Sequence, residues 1–531
     1  MKGFVIAGTG SGSGKTTITL GILAYLSKLG YKAAPFKVGP DFIDPGHHTA
    51  ITGKISRNLD SWMLSRRVNE QIFAKGCIGA DVDRGCIDNI YKESVDIETV
   101  GIKADVAVVE GVMGLFDGYS GTSEAGSTAQ MAKWLGLPVV LVVDAKSMAR
   151  SAAAIVQGFE NFDPEVEFAG VIFSKTGSSR HYQYLKEAVE ANCKMKCLGH
   201  IPRTPEIAMP ERHLGLVTSD EHKLSSDVIN KLVDILDKNT SIRKMVENLP
   251  QYNISKLSSL INLDSYQSNS NENINSIPPS DNFPLIVSPQ DIKIRIAVAR
   301  DKAFCFYYQE NIEALQRYGA EIVEFSPIQS PALPSDIDGI YLGGGYPELF
   351  AQKLCGNKSL MAEIRQNSLR GMPIYGECGG FMYLCSTITG LDKESTESDK
   401  ALTTELSKSP KRYPMTGCFP FAAVMSKKMR SLGYRQITLK QDTVIGKKGD
   451  VLRGHEFHYS SLEDENANSF ELKKVYNTMA RDGQEISLNG YQINNTLGSY
   501  LHIHFESMEG GAAEAFVDAC RKFYNLSSKA K

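Results

Sequence analysis

The stretch FVIAGTGSGSGKTT, residues 4–17, decides the fold of the first half of this chain. Its apolar start, residues 4–7, predicts a strand, and the residues that follow the glycines, 15–29, predict a helix. A strand that opens through a glycine-rich turn into a helix places a ring of backbone N–H groups at the helix N-terminus, where a phosphate group binds. We therefore predict a phosphate-binding loop at this strand-to-helix junction.

The residues of this loop predict which groups bind a nucleotide. We expect the phosphates to be held by Gly12, Gly14, Lys15, Thr16 and Thr17. The lysine supplies a cation for the terminal phosphates, and the Thr16 hydroxyl is a ligand for Mg²⁺. The alternative is a glycine-rich turn that contains a lysine by accident. The loop predicts a bound nucleotide and Mg²⁺.

Apolar runs continue through the first half of the chain and alternate with amphipathic stretches. Runs rich in valine and isoleucine occur at 106–109, 139–143 and 170–173. Continuous apolar strands between helices are typical of a parallel sheet covered on both faces. We predict an α/β P-loop domain over residues 1–245.

Charged residues follow the predicted strands of this domain. Ligands of open α/β sheets bind at the carboxyl ends of the strands, and carboxylates there can hold Mg²⁺. The candidates are Lys37, Asp41, Asp44 and Asp117 for ligand binding, with Glu110 and Asp41 as possible metal-binding carboxylates beside the loop threonine. For the three aspartates, turn formation is an equally weighted alternative, because each lies in a loop or next to Gly or Pro.

The chain changes character near its middle. Residues 266–291 are rich in Asn, Ser and Pro and cannot bury enough apolar surface to order themselves, so we predict a linker over 246–291. The alternation then restarts with strands at 294–299 and 320–325 and a helix at 307–318. We predict a second α/β domain over 292–531, with a low-complexity surface insertion at 390–411.

The second domain contains a candidate nucleophile. In PIYGECGGFMYL, residues 373–384, Cys378 is flanked by glycines between an apolar strand and a helix. This is the pattern of a strained turn that exposes a nucleophile at the edge of a sheet. A thiolate is favoured at a helix N-terminus, so we expect a lowered pKa. The alternative is a buried structural cysteine.

A cysteine nucleophile needs a base and a group that stabilises an oxyanion. Two histidine pairs are available in this domain, His502 with His504 and His455 with His458. The glycine run in YLGGGYPELF, residues 341–350, predicts an oxyanion site formed by the backbone N–H groups of Gly344 and Gly345.

Composition excludes several classes of protein. The 531 residues have a formal net charge of −3, unlike the basic balance of nucleic-acid-binding proteins. No apolar run reaches the roughly 18 residues that cross a bilayer. Ten cysteines in so long a chain do not indicate a disulfide framework. We expect a cytoplasmic protein with no nucleic-acid or membrane partner.

Eight motifs, in this order, resemble the cobyrinate a,c-diamide synthase family. They are SGSGKTT, FKVGPDFIDPGHH, EGVMGLFDG, PERHLGLV, GGGYPE, YGECGGFMYL, GHEFHYS and SYLHIHF. The resemblance implies a dethiobiotin-synthetase-like P-loop domain fused to a class I, triad-type glutamine amidotransferase domain. It also implies glutamine and a corrinoid, cobyrinic acid or a related tetrapyrrole, as substrates. The oligomeric state stays open, with a homodimer as one option.

The resemblance also implies residue roles. Cys378 attacks the glutamine carboxamide, and His502 protonates the departing ammonia. In the first domain ATP phosphorylates a carboxylate of the corrinoid near Lys37, and ammonia then displaces phosphate. Glu110 matches a metal-binding position, and the three aspartates match positions linked to metal or substrate.

This sequence departs from the family pattern, and the resemblance leaves alternatives open. Triad-type amidotransferases usually have Glu two residues after the histidine, where this chain has His504, whose role stays open with those of His455 and His458. Many relatives have an adenine-reading Asn near Ser174, which leaves the selectivity for ATP open. The same chemistry on Ni-sirohydrochlorin or hydrogenobyrinic acid is one alternative. A P-loop nucleotide-switch ATPase of the partitioning type is another.

Overall fold

The computed structural model describes residues 1–78, 104–207, 211–212, 215–216, 225–252, 293–389, 411–464, 472–508 and 510–529. The chain forms two compact units, Met1–Ser276 and Ile277–Lys531. Most of the predicted linker and nearly all of the predicted insertion lie outside the described residues. The start of the predicted linker differs from expectation. A helix, Ile242–Asn248, crosses residue 245, because Ile242 and Val246 are buried in the core of the first unit.

The first unit contains a seven-stranded sheet in the order β3-β2-β4-β1-β5-β6-β7. All its neighbouring strands are parallel, which confirms the predicted α/β class. The strands are β1 Lys2–Gly8, β2 Ala33–Val38, β3 Arg57–Leu59, β4 Val106–Gly114, β5 Val139–Asp144, β6 Phe168–Thr176 and β7 Cys197–Pro202. A two-stranded hairpin, β8 Glu211–Arg212 and β9 Gly215–Leu216, follows.

Eight helices are described in the first unit. They are α1 Lys15–Lys28, α2 Ile43–Thr52, α3 Arg66–Ile78, α4 Thr128–Leu135, α5 Ser151–Phe162, α6 Ser179–Asn192, α7 Ser226–Asn239 and α8 Ile242–Asn248. Side chains of α1 and α7 share a buried core with those of β1, β4 and β5. This packing fixes the start of α1 against the carboxyl end of β1.

Strand β4 is longer than the sequence predicts. It continues past Glu110 because Gly114 pairs with Gly8 of β1 after a shift in register. Glu110 therefore lies inside a strand, paired with Ile6 on one side and with Lys37 on the other. The pairing holds its carboxylate beside the phosphate-binding loop.

The second unit has a central seven-stranded sheet in the order β11-β10-β12-β13-β24-β23-β20. Its first five strands are parallel, and β23 and β20 join antiparallel. These strands are β10 Ile294–Ala299, β11 Ala320–Phe325, β12 Gly339–Leu342, β13 Ile374–Glu377, β20 Lys473–Lys474, β23 Tyr491–Ile493 and β24 Thr496–Ser499. The helices are α9 Gln309–Arg317, α10 Ala351–Gly356, α11 Lys358–Leu369, α12 Gly379–Leu384 and α13 Gly511–Lys529.

Two further sheets of the second unit do not follow the predicted strand–helix alternation. A four-stranded sheet, β15-β14-β16-β19, contains β14 Thr387–Thr389, β15 Arg412–Pro414, β16 Phe421–Met425 and β19 Ser460–Asp464. A five-stranded antiparallel sheet, β22-β21-β17-β18-β25, contains β17 Ser431–Leu439, β18 Val451–His458, β21 Tyr476–Ala480, β22 Glu485–Ile486 and β25 Leu501–Ile503. Only Tyr500 separates β24 of the central sheet from β25. This short connection places His502 next to the end of β13.

Among the described residues, no helix is both long enough and apolar enough to cross a membrane.

Candidate functional site

The predicted phosphate-binding loop has the backbone that such a loop requires. Gly12 and Gly14 have φ angles of 74° and 92°, a left-handed conformation that glycine adopts without steric cost. Gly14 is the residue that precedes α1, so the first backbone N–H groups of α1 are available to a phosphate. Thr16 and Thr17 lie in the first turn and are half-buried.

Lys15 of this loop is buried and folded back onto it. Its Nζ donates a hydrogen bond to the carbonyl oxygen of Gly10 at 3.0 Å. Burial, and then repulsion from the Lys37 ammonium, lowers the pKa of Lys15 to about 8. Burial thus makes the charged form of Lys15 unfavourable in the folded chain, and a bound anionic phosphate would offset this effect.

A cluster of buried charges adjoins the loop. The Lys37 ammonium contacts the carboxylate of Asp44 and lies 2.9 Å from Oε1 of Glu110. The Thr16 hydroxyl donates to the same Oε1 at 2.6 Å and lies 3.3 Å from Oδ2 of Asp44. Burial opposes the charge of Glu110, but Lys37 and the hydrogen bonds around it hold the pKa of Glu110 well below its usual range. Burial, and then Asp41, raises the pKa of Asp44.

His48 is a member of this cluster that the sequence analysis did not identify. Its Nε2 lies 2.8 Å from Oε2 of Glu110, and its Nδ1 lies 3.0 Å from the hydroxyl of Ser56. Asp44 and His48 are four residues apart on α2, which places them on one face of that helix. This four-residue spacing is the feature of the sequence that could have identified His48 as a member of the cluster.

The two other aspartates make turn contacts. Oδ1 of Asp41 accepts hydrogen bonds from the backbone N–H groups of Ile43 and Asp44. Oδ2 of Asp117 accepts one from the N–H of Gly114 at 2.8 Å. These are the local contacts that the turn-formation alternative predicts. Their proposed metal or substrate roles stay predictions.

The oxygen donors of this cluster fit Mg²⁺. Among the described residues, no three His, Cys, Asp or Glu side chains are arranged to hold a metal ion by themselves. Mg²⁺ in nucleotide sites is commonly bound through one or two carboxylates and completed by phosphate oxygens and water. The Thr16 hydroxyl and the Glu110 carboxylate, 2.6 Å apart, are the donors that suit such a shell. Asp41 is less suited, because its Oδ1 already accepts hydrogen bonds from the N–H groups of Ile43 and Asp44.

Ser174 has a packing role in the structure. Its buried hydroxyl donates to the carbonyl oxygen of Ser13 at 2.6 Å and lies 3.3 Å from that of Val143. These bonds tie β6 and β5 to the loop.

The predicted nucleophile turn is present. Cys378 joins β13 to α12 with φ 47° and ψ −104°, a strained conformation for a residue with a side chain. The turn is tight, because a Cβ atom at Gly380 would lie 2.1 Å from the carbonyl oxygen of Leu342. Sγ of Cys378 lies 3.7 Å from the carbonyl oxygen of Phe457. The geometry is that of a nucleophile turn.

The predicted lowering of the Cys378 pKa is wrong for this structure. Burial, and then the Glu348 carboxylate, raises the pKa of the thiol. The helix that follows has only six residues, and its start does not outweigh the loss of water around the sulfur. The thiol therefore needs a base to remove its proton.

His502 lies beside this turn. It is buried on β25, directly opposite His455 of β18. A Cβ atom at Gly344 would lie 2.3 Å from Cε1 of its ring. Burial, and then His455 and His458, lowers the pKa of His502 to about 3. The ring is thus neutral near pH 7, and a proton taken up by it needs a stabilising partner because burial disfavours the charged form.

The predicted oxyanion site needs a correction. The N–H of Gly344 donates to the carbonyl oxygen of Phe306 at 3.2 Å, so it is not available to an oxyanion. Gly344 instead contributes to this site because it has no side chain, which leaves room for the His502 ring. Gly345 remains a candidate, since its nitrogen would lie 3.0 Å from a Cβ atom at Gly379, the residue after the nucleophile.

The remaining histidines differ in their surroundings. Nε2 of His458 lies 2.8 Å from Oε1 of Glu456, and its ring stacks on Tyr500 with centroids 3.9 Å apart. Burial, and then Arg435, lowers the pKa of His455 to about 4. His504 is buried against the ring of Tyr308, with centroids 4.6 Å apart.

Both units match known families. A family model described as a CobQ/CobB/MinD/ParA nucleotide binding domain matches residues 4–217. A second, described as a CobB/CobQ-like glutamine amidotransferase domain, matches residues 295–510. Among solved structures, a glutamine amidotransferase from Methylobacillus flagellatus is similar at 12% identity and a TM-score of 0.26, over 44% of this chain and 94% of that chain.

Curated relatives match almost the whole chain. The cobyrinate a,c-diamide synthase of Leptospira interrogans serovar copenhageni is 38% identical over 97% of this chain and 98% of its own length. The enzyme of the same name from Salmonella typhimurium is 38% identical over 94% of this chain and 95% of its own length. The likeness thus covers both units, with the phosphate-binding loop in one and the nucleophile turn in the other. This chain belongs to the cobyrinate a,c-diamide synthase family.

Proposed function

We propose that this protein amidates the a and c acetate carboxylates of cobyrinic acid, with ATP to activate each carboxylate and glutamine to supply the nitrogen. One observation carries the proposal. A single chain combines a buried cysteine turn beside a neutral histidine with a phosphate-binding loop beside a buried lysine–carboxylate cluster. The first suits hydrolysis of glutamine, and the second suits phosphorylation of a carboxylate. The proposed domains, 1–245 and 292–531, each contain one of these sites.

In the second unit, His502 takes the proton of the Cys378 thiol as the sulfur attacks the carboxamide carbon of glutamine. The carbon–nitrogen bond then breaks, and His502 returns the proton to the departing nitrogen, which leaves as ammonia. The product is a thioester. Water, deprotonated by the same ring, cleaves the carbon–sulfur bond and releases glutamate and the thiol.

In the first unit, a carboxylate oxygen of the corrinoid attacks the γ-phosphorus of ATP and displaces ADP. The acyl phosphate that forms has phosphate as a good leaving group, which a free carboxylate lacks. Ammonia attacks its carbonyl carbon, the carbon–oxygen bond breaks, and the departing phosphate takes the proton that the nitrogen loses, which gives the amide and hydrogen phosphate. Mg²⁺, when bound, neutralises charge on the phosphate oxygens.

Different residues of the first unit would bind the phosphates, the metal ion and the substrate carboxylate. Lys15 and the N–H groups at the start of α1 would bind the phosphates, and Thr16 with Glu110 would hold Mg²⁺. Lys37, paired with two carboxylates, is a cation available to the substrate carboxylate when that carboxylate approaches. Such preorganised charge lowers the barrier because it needs no rearrangement during the reaction.

The test is an assay of products by mass spectrometry with ATP, Mg²⁺ and glutamine. We expect cobyrinic acid to gain two amide groups, each with the release of one glutamate. If Ni-sirohydrochlorin or hydrogenobyrinic acid is amidated in preference to cobyrinic acid, the proposed reaction stands and the proposed substrate is wrong. ATP hydrolysis with no amide product from any of the three macrocycles would contradict the proposal and favour a nucleotide switch.

Gly344→Ala is expected to impair glutamine hydrolysis specifically. Its new methyl group would stand 2.3 Å from Cε1 of His502, so the ring must move away from the nucleophile. We expect glutamine-dependent amidation to fall on the order of 10²-fold, because small misplacements of reacting groups have effects of that size. Amidation with added ammonia should be retained. The matched control is Gly356→Ala in the same unit, where a Cβ atom meets nothing within 4 Å; equal activity of the two variants would contradict the assignment of His502.

A further inference from the structure

The usual third member of an amidotransferase triad is replaced in this chain. His504 lies two residues after His502, the position where the resemblance to triad-type amidotransferases implies a Glu. It is buried against Tyr308, and neither of its ring nitrogens has a hydrogen-bond partner among the described residues. Burial lowers the pKa of His504 to about 3, which keeps the ring neutral. A neutral imidazole supplies no negative charge to stabilise a protonated His502.

A carboxylate at the end of β13 lies near His502. Glu377, the residue before the nucleophile, ends β13 with its side chain buried. Its Oε2 lies 3.9 Å from Nδ1 of His502. This separation exceeds a hydrogen bond, but catalytic hydrogen bonds are often long before substrate binds. The nitrogen of His502 nearer to Glu377 is Nδ1.

We propose that Glu377 is the positioning residue of the glutaminase site, the carboxylate that orients His502 and stabilises its protonated form. This inference rests on the proposed function only for the hydrolysis of glutamine. It assigns the third member of the triad to the residue before the nucleophile, instead of the residue two after the histidine.

The contacts of Glu377 favour its ionised form. Oε1 accepts hydrogen bonds from the hydroxyl of Tyr375 at 2.8 Å and from the N–H of Ile503 at 3.0 Å. Oε2 accepts one from the hydroxyl of Tyr341 at 3.0 Å. All three groups donate, so each stabilises a carboxylate and holds its plane. Ile503 is the neighbour of His502 on β25, so this bond also fixes the backbone that presents the histidine.

Two other carboxylates lie near the nucleophile. Glu348 and Glu456 act on the Cys378 thiol, and Glu456 is already paired with Arg435 and His458. Among the described residues, the groups that act on Glu377 or His502 include Tyr341, Tyr375, His455 and His458. None of these is an acid as strong as a carboxyl group. Burial raises the pKa of Glu377 to about 7, against the three donated hydrogen bonds.

The proposal predicts a pH profile for glutamine hydrolysis. Glu377 supports His502 only as a carboxylate. Activity should therefore be present above a pH of about 7 and fall as the pH decreases through that value. If Glu377 only connects β12, β13 and β25, the pH at which activity falls should not move when a hydrogen bond to its carboxylate is removed.

The experiment compares glutamate release by the full chain and three variants, with Cys378→Ser as the reference for zero activity. For Glu377→Gln, which keeps the size of the side chain, we expect kcat to fall on the order of 10²-fold. The KM for glutamine and amidation with added ammonia should be little changed. Tyr375→Phe removes one hydrogen-bond donor to the carboxylate. We expect the pH at which its activity falls on the acidic side to rise by on the order of one unit. For His504→Phe, which keeps the ring against Tyr308, we expect kcat within about threefold of the parent chain.

The outcomes separate the inference from the proposed function. A parent chain that releases no glutamate would contradict the proposed function. An active parent with Glu377→Gln within threefold of it, or with the acidic limb of Tyr375→Phe unmoved, would overturn the assignment of Glu377. A loss in folded His504→Phe equal to that of Glu377→Gln would return the third role to His504. If Glu377→Gln does not fold, the pH at which the activity of Tyr375→Phe falls tests the assignment of Glu377 by itself.

Discussion

Cys378→Ser is expected to abolish glutamine-dependent amidation while amidation with added ammonia continues. The serine hydroxyl would occupy the strained turn without changing its shape. A hydroxyl is a far weaker acid than a thiol, and even the thiol here has a raised pKa because it is buried. His502 therefore cannot generate a useful alkoxide, and we expect glutamate release to fall by at least 10³-fold, within the range that nucleophilic and acid–base catalysis supply.

The assay measures amide product with glutamine and, separately, with an ammonium salt at alkaline pH. The matched control is Cys355→Ser, the same substitution in α10 of the same unit. We expect the control to retain both activities. Retention of full glutamine-dependent amidation by Cys378→Ser would show that another group attacks glutamine.

Both turns could be predicted from the sequence because their requirements are local. Gly12 and Gly14 occupy left-handed positions, and Gly380 lies where any side chain would collide with the backbone. A strand, such a turn and a helix follow one another within about 15 residues of the printed sequence in each case. Nothing distant in the chain is needed to form them.

The strand pairing that builds the glutaminase site was not predicted, because its two strands, β18 and β25, are distant in sequence. His502 is opposite His455 through the pairing of β25 with β18, and β25 follows β24 of a different sheet. The alternation of apolar and polar residues does not reveal which strands will pair. The same limit hid Glu377, whose partners come from β12, β13 and β25.

Electrostatics was the least predictable part of both sites. The pKa of a group depends on burial and on charges that the fold brings near it. The helix start after Cys378 suggested a lowered pKa, yet burial raises it. At the other site, Asp44 and His48 share a face of α2, but only the fold shows that Asp44 contacts Lys37 and that His48 contacts Glu110.

Lys15→Ala is expected to abolish amidation with either nitrogen source, which separates it from Cys378→Ser. The ammonium of Lys15 is the cation that the loop offers to the terminal phosphates. We expect ATP-dependent product to fall by at least 10²-fold, the scale of losing a preorganised charge at a developing anion. Glutamate release should continue, because the nucleophile turn belongs to the other unit.

This loss should not arise from unfolding. The pKa of Lys15 is lowered to about 8, so the folded state holds the charged form at a cost that the unfolded chain does not bear. Removing the charge removes that cost at pH values below the lowered pKa. We therefore expect the melting temperature at pH 7 to be equal to or above that of the parent chain, together with the loss of activity.

The matched control is Lys28→Ala, at the other end of α1, where the side chain is 62% exposed. It should retain amidation with both nitrogen sources. Thermal denaturation followed by circular dichroism, and ATP binding followed by calorimetry, complete the comparison. Unchanged ATP binding and turnover in Lys15→Ala would place the phosphate site elsewhere in the chain. A melting temperature well below that of the parent would instead show that Lys15 stabilises the loop through its bond to Gly10.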